Sequence, residues 1–387
     1  MRLKFLVLIS FAISLSGCFL FDNNYKPMPP TPLKKFKATS NLRQLWSNST
    51  SDGYRQGYLQ LTPALDNNYI YTTSDDGRLV KIDKTTGDVV WHKELVCGFS
   101  TGPVLNDSTI FVGTYSGQIM AIRKSDGMLL WCANLNGEAL AAPAVKGGIV
   151  VVKTTAGNVY AFDTETGAKL WAYQHSEPQM ILRGSSSPCI VGNLVIVGFA
   201  SGDLVALNLN NGMRIWQRTI SYSYGSASAE QLVDIDANPI FYHGMIYAAT
   251  YQGNIAALTL RHGNIVWQHK LSTYTNLIGV ENRIFASDSN GNIWAFGARN
   301  GIVAWKQAAL AYRSTTAPVK VGSSWLAIAD GLGYLHIVGA GSGMFCARTQ
   351  VVGTNISVPV VADGYDIYVY TSYGRLVKYQ LGGKSNA

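Results

Sequence analysis

The stretch 143–171 reads PAVKGGIVVVKTTAGNVYAFDTETGAKLW, and its apolar and polar positions fall in blocks. A proline opens it, a β-branched run follows (Ile149 to Val152), and a polar break is centred on Ala156-Gly157-Asn158. An alternating stretch, Val159-Tyr160-Ala161-Phe162, leads to a second polar break closed by Gly167, and Trp171 ends the unit 28 positions after the proline. Short apolar runs bounded by glycine predict strands joined by tight turns, with glycine supplying the positive φ that hairpins require. The interval recurs as Pro63 to Trp91, Pro103 to Trp131, Pro188 to Trp216 and Pro239 to Trp267, and degenerately as Leu277 to Trp305. Position +14 is glycine in all six copies (Gly77, Gly117, Gly157, Gly202, Gly253, Gly291), and so is +24 (Gly87, Gly127, Gly167, Gly212, Gly263, Gly301). The chain is a repeat protein.

Each copy predicts a four-stranded antiparallel meander, with the proline where a strand start tolerates a missing N–H. Strand C carries alanine at +18 in five copies (Ala121, Ala161, Ala206, Ala257, Ala295), while Lys81 departs from the rule. A small residue there lets sheets approach, and the closing tryptophan is large enough to fill the wedge between them. Units whose faces only a neighbour can cover stack radially, as in a β-propeller. Two more copies start at Pro318 and Pro359; the first has Ala347 at the tryptophan position, and the second ends before a fourth strand. Leu42 to Trp46 reads as that missing strand. The predicted fold is all-β: an eight-bladed β-propeller whose last blade is closed by the N-terminal strand, which removes two free edges.

The propeller is expected over residues 41–387. Before it, Arg2 and Lys4 precede the apolar run Phe5 to Ile13, and Leu15-Ser16-Gly17-Cys18 follows, so residues 1–17 read as a signal peptide. The Leu-Ser-Gly-Cys ending resembles a bacterial lipobox, which implies cleavage before Cys18 and acylation of its thiol; an ordinary secretory signal with an incidental cysteine is the alternative. Phe19 stands where an inner-membrane retention signal would place Asp, and by that resemblance the destination is the periplasmic face of the outer membrane. Residues 18–40 contain Pro27, Pro29, Pro30 and Pro32 and read as a lipidated, extended tether. No stretch after residue 17 is long and apolar enough to span a membrane.

With 47% hydrophobic and 14% charged residues, the chain can bury a large core. Its formal charge of +8 is spread without a stripe or aromatic interleaving, so nucleic-acid binding is not inferred. Of the four remaining cysteines, Cys97 and Cys132 are expected in one blade with two strands between them, and Cys189 and Cys346 three blades apart. All four are therefore expected to be buried and unpaired. The six histidines lack metal-ligand spacing, and there is no nucleophile elbow, P-loop or dinucleotide fingerprint. Asp83, Asp163 and Glu165 sit where acidic residues serve hairpin turns. No catalytic residue, metal or cofactor is expected. The repeat also resembles that of quinoprotein alcohol dehydrogenases, but no adjacent cysteine pair is present to cover a quinone, and the long insertions are missing.

From each tryptophan position to the next proline position the spacing is usually 10 to 13 residues, but Trp171 to Pro188 spans 17 and Trp216 to Pro239 spans 23. (Trp46 to Pro63 also spans 17, at the ring closure.) Insertions in repeats map to loops on one face, where function concentrates. The first long loop carries Met180-Ile181-Leu182-Arg183-Gly184, and the second Leu232-Val233-Asp234-Ile235-Asp236. Apolar anchors beside charges suit a protein-binding patch. Arg183 and Asp234 share one offset from their prolines, so they are expected to be neighbours. Arg183 either meets a partner or pairs with Asp234 or Asp236 within the molecule.

The lipobox, the Pro-rich tether, the eight blades, the LRG before the fourth-blade proline and the DID before the fifth resemble the BamB family. These are lipoprotein subunits of the outer-membrane β-barrel assembly (BAM) machinery. The resemblance implies a non-enzymatic scaffold that assists insertion of nascent outer-membrane proteins. It also implies binding to the periplasmic POTRA domains of the barrel subunit BamA through Met180, Leu182, Arg183, Asp234 and Asp236. A periplasmic propeller that binds an extended peptide or glycan at its blade edges is the alternative.

Overall fold

The repeat becomes visible in the pairing of its strands. Ala161 on strand C of blade 3 (Asn158–Asp163) faces Trp171 on strand D (Lys169–Gln174), and a bulge follows at once between Ala161 and Phe162. The same alanine–tryptophan pairing and the same bulge recur at Ala121/Trp131, Ala206/Trp216, Ala257/Trp267 and Ala295/Trp305. Lys81 takes the small residue's place opposite Trp91 in blade 1. In the computed structural model, which describes residues 28–54, 59–182, 186–223, 232–351 and 355–383, these units form eight four-stranded antiparallel sheets. The protein is an eight-bladed β-propeller. Seven sheets take their four strands in chain order, and the eighth pairs strand Ser40–Ser49 with Arg375–Gly383, beside Asp366–Tyr370 and Val361–Asp363.

The core lies between blades, not within them. Each of the eight apolar clusters joins two neighbouring sheets; one packs Val151, Val159, Ala161 and Trp171 of blade 3 on Val195, Val197, Val205 and Leu207 of blade 4. Because a lone blade would expose both faces, such burial at about 1.5–3 kcal/mol per side chain accrues only when the ring assembles.

Tryptophan and the +24 glycine are two halves of one joint. The Trp131 indole N–H donates to the Thr164 carbonyl of blade 3 at 3.0 Å, and its ring lies on Gly167, where a Cβ would approach Cδ2 to 2.6 Å. The indoles of Trp46, Trp91, Trp171, Trp216, Trp267 and Trp305 reach a carbonyl of the following blade in the same way. Ala347 is explained by the same joint. The blade after it is the split one, whose strands C and D are not linked by a hairpin on which an indole could rest.

A further segment packs on the blade before the split one. Residues 31–39, assigned to the tether from the sequence, run along blade 7. The Thr31 amide donates to Ala311 O and the Thr39 amide to Cys346 O, while Phe36 packs on Phe345 at 5.5 Å. Two arginines hold the segment's carbonyls, Arg313 at Thr31 and Arg348 at Lys34. Both belong to a buried chain in which Arg313 and His336 meet one oxygen of Asp330, at 2.6 and 2.9 Å. Arg348 donates to the other nitrogen of His336, so the imidazole is neutral with its proton on Nε2, and burial pushes its pKa down.

The cysteines correct one expectation. All four are free, but only Cys346 is buried; Cys97 and Cys189 are half-buried and Cys132 is exposed. The two strands expected between Cys97 and Cys132 do not separate them. Cys97 lies in the connection leading into blade 2 and touches Met120, the residue that pairs across strands with Cys132.

Candidate partner-binding site

The two long connections meet. Asp234, in the second, accepts a hydrogen bond from the Leu182 amide of the first at 2.5 Å through Oδ2. Asp234 also gives its carbonyl to the Tyr251 amide of blade 5, and Ile235 donates to Phe199 O of blade 4. The Ile235 side chain lies on Gly198, where a Cβ would stand 2.3 Å from Cγ2, so the bare backbone there makes room for it. Asp236 continues inward to an axial cavity of about 400 Å³, lined by residues at the inner strands of the ring, including Ser187, Asn238 and Asn276.

These contacts divide the predicted residues into two groups. Met180 is 53% exposed and Leu182 half-buried. Asp234 and Asp236 are 1% and 8% exposed, so the two carboxylates are buried rather than displayed beside the apolar anchors. The cause is their position. The connection turns down toward the inner strand A just before its proline, and carries the residues at that offset into the ring. Arg183 and Cys18 lie outside the described residues.

The buried carboxylates sit in a charged cluster that the loop motifs alone do not reveal. Lys153, 4% exposed, donates to Gly198 O at 2.6 Å and lies 5.2 Å from the centre of the Phe199 ring. Glu177 accepts from the Ala200 amide at 2.9 Å. Burial lowers the pKa of Lys153 against the pull of Glu177, Asp236 and Asp234. Burial likewise raises Asp234 to about 7, with Asp236 and Glu177 adding to it, and Asp236 to about 6. Oδ1 of Asp234 and Oδ2 of Asp236 have no hydrogen-bond partner among the described residues. A buried oxygen without a donor favours the protonated form. The sequence did carry a signal for Lys153. Strand B ends in Thr73, Gly113, Gly198, Ala249, Ser287, Ala329 and Tyr370 in the other blades, and in a charged residue only here. Tyr222, at the start of the second connection, is 65% exposed.

A family model described as outer membrane protein assembly factor BamB matches residues 37–104 and 75–307. An assembly factor of that name from Legionella pneumophila is 36% identical over 97% of this chain and 98% of its own length. The chain belongs to the BamB family. A crystal structure of BamB from Moraxella catarrhalis superposes with a TM-score of 0.80 at 24% identity, covering 88% of this chain and 99% of that one. A quinohemoprotein alcohol dehydrogenase from Comamonas testosteroni gives 0.68 at 13% identity, over 94% and 82% of the two chains, a likeness of fold alone.

Proposed function

We propose that the chain is a non-enzymatic scaffold subunit of the outer-membrane protein assembly machinery, lipid-anchored at Cys18 on the periplasmic face of the outer membrane. Its partner is the POTRA region of the barrel subunit BamA, which it engages through Met180, Leu182 and Arg183. In this reading nascent outer-membrane proteins are the clients of the complex. The observation that carries the site is the hydrogen bond from Leu182 N–H to the buried Asp234. It ties one long connection to the other and supports an apolar loop that leaves Met180 in solvent. Asp234 and Asp236 then act by holding the loop in shape, and Arg183 supplies the charge.

The test is co-purification with BamA and its affinity for variants. Arg183→Glu should weaken binding by about tenfold to hundredfold, the worth of one charge-assisted contact in a partly desolvated patch, and leave the melting transition nearly unchanged. Met180→Asp should do the same through loss of an apolar anchor. Unchanged binding in both folded variants would move the interface off this face.

A further inference from the structure

Three sulfur atoms gather on the side of blade 2 that faces blade 1, far from the loops just described. Cys97, in the connection between Val89–Glu94 and Val104–Leu105, places its Sγ 3.9 Å from Sδ of Met120 on strand Gln118–Arg123. Met120 pairs directly with Cys132 on the outer strand Leu129–Asn134, so the two side chains share one face of the sheet. Directly opposed Cβ atoms stand about 4.5–5.5 Å apart. The thioether therefore lies within reach of both thiols. The thiols also sense each other: burial pushes the Cys132 thiol up, and proximity to Cys97 pushes it further.

We propose that Cys97, Met120 and Cys132 form a binding site for a soft monovalent metal ion of the Cu(I) type, held by two thiolates and one thioether. Thiolates and thioethers are the ligands that select Cu(I), whereas imidazole and carboxylate suit harder ions. The spacing agrees. Three sulfurs each about 2.3 Å from one ion stand about 4 Å apart in a trigonal plane, and the Cys97–Met120 pair is already at that distance. Cys97 lies against Met120, and a thioether adds nothing to a disulfide but completes a three-sulfur ligand set. The ion has a route in, because Cys132 is exposed and so is Val96, next to Cys97. A thiol's ordinary pKa of about 8.5 leaves both groups mostly protonated at neutral pH in the empty site. Binding then displaces two protons: Cu⁺ and two thiols give the dithiolate complex and two H⁺, with no change in oxidation state.

The mature chain, reduced and kept anaerobic, is titrated with Cu(I) against a chromophoric Cu(I) chelator. One ion should bind per chain, with affinity rising about a hundredfold per pH unit below the thiol pKa values because two protons leave. Cys97→Ser and Cys132→Ser should each lower the affinity by at least about a hundredfold, and Met120→Leu by about tenfold. Cys189→Ser and Cys346→Ser should leave it unchanged. Cys132→Ser alters an exposed position, so its melting transition should match that of the parent and separate loss of binding from loss of fold. Failure to retain one ion, retention by the Cys97→Ser, Cys132→Ser double variant, or indifference to Met120→Leu would each overturn the proposal. Mature protein isolated with Cys97 and Cys132 already joined by a disulfide would overturn it too.

Discussion

Asp234 lies in a motif that can be read from the sequence, and in a burial that cannot. Its place in the DID sequence was legible, and so was its nearness to the LRG loop; its burial was not. Burial depends on where a connection bends, and composition does not encode that. The consequence can be measured. A carboxyl raised from 3.8 to about 7 binds more protons folded than unfolded between those values, so its contribution to stability falls as pH rises through that window. Asp236, raised to about 6, acts in the same direction. His336, whose pKa is pushed down, acts oppositely below its ordinary value of 6.5, so the wild-type profile alone decides nothing. Comparison with Asp234→Asn isolates the group. Relative to wild type, the variant should melt higher at pH 8 than at pH 5.5, by on the order of 1–3 °C. A difference independent of pH would mean that Asp234 is ionised throughout.

At the scale of the strand and the turn, the sequence was most informative, because one physical joint is used over and over. The glycine at +24 was read as a turn residue, and the structure adds that it is the surface on which the preceding blade's indole lies. Gly167 and Gly147 separate the two roles. Both have positive φ, +71° and +57°, but a Cβ on Gly147 meets nothing within 4 Å, whereas on Gly167 it meets Trp131. Gly147→Ala should cost about 1 kcal/mol from backbone strain alone. Gly167→Ala should cost on the order of 3 kcal/mol, since the indole must also move. Denaturation midpoints of the two variants check this, and equal losses would refute the joint. Cys97 marks where reading by element stopped working. Counting strands within a blade could not show that an irregular connection crosses back over strand C of the next one.

For the whole molecule, the ring closes in the split blade, next to blade 7, where the Arg313–Asp330–His336–Arg348 chain holds residues 31–39. Cys18→Ala should leave a folded propeller that no longer partitions with membranes in the absence of BamA, since each buried CH₂ of an acyl chain contributes about 0.8 kcal/mol. Sedimentation of that variant with outer membranes, as complete as for wild type, would rule out the lipid anchor. Closure by the N-terminal strand also decides how the molecule bears a mechanical load. Suppose the chain is pulled at its N-terminus, as a moving membrane would pull it. Traction first loads the contacts that hold residues 31–39 on blade 7 and then reaches the ladder at Ser40, at one end, while the neighbouring strand is rooted at Arg375, opposite Ser49, at the other end. The two strands are thus sheared, not unzipped. The rungs from Ser40–Gly383 to Ser49–Arg375 resist together, so the closure of the ring withstands a pull from its N-terminal side.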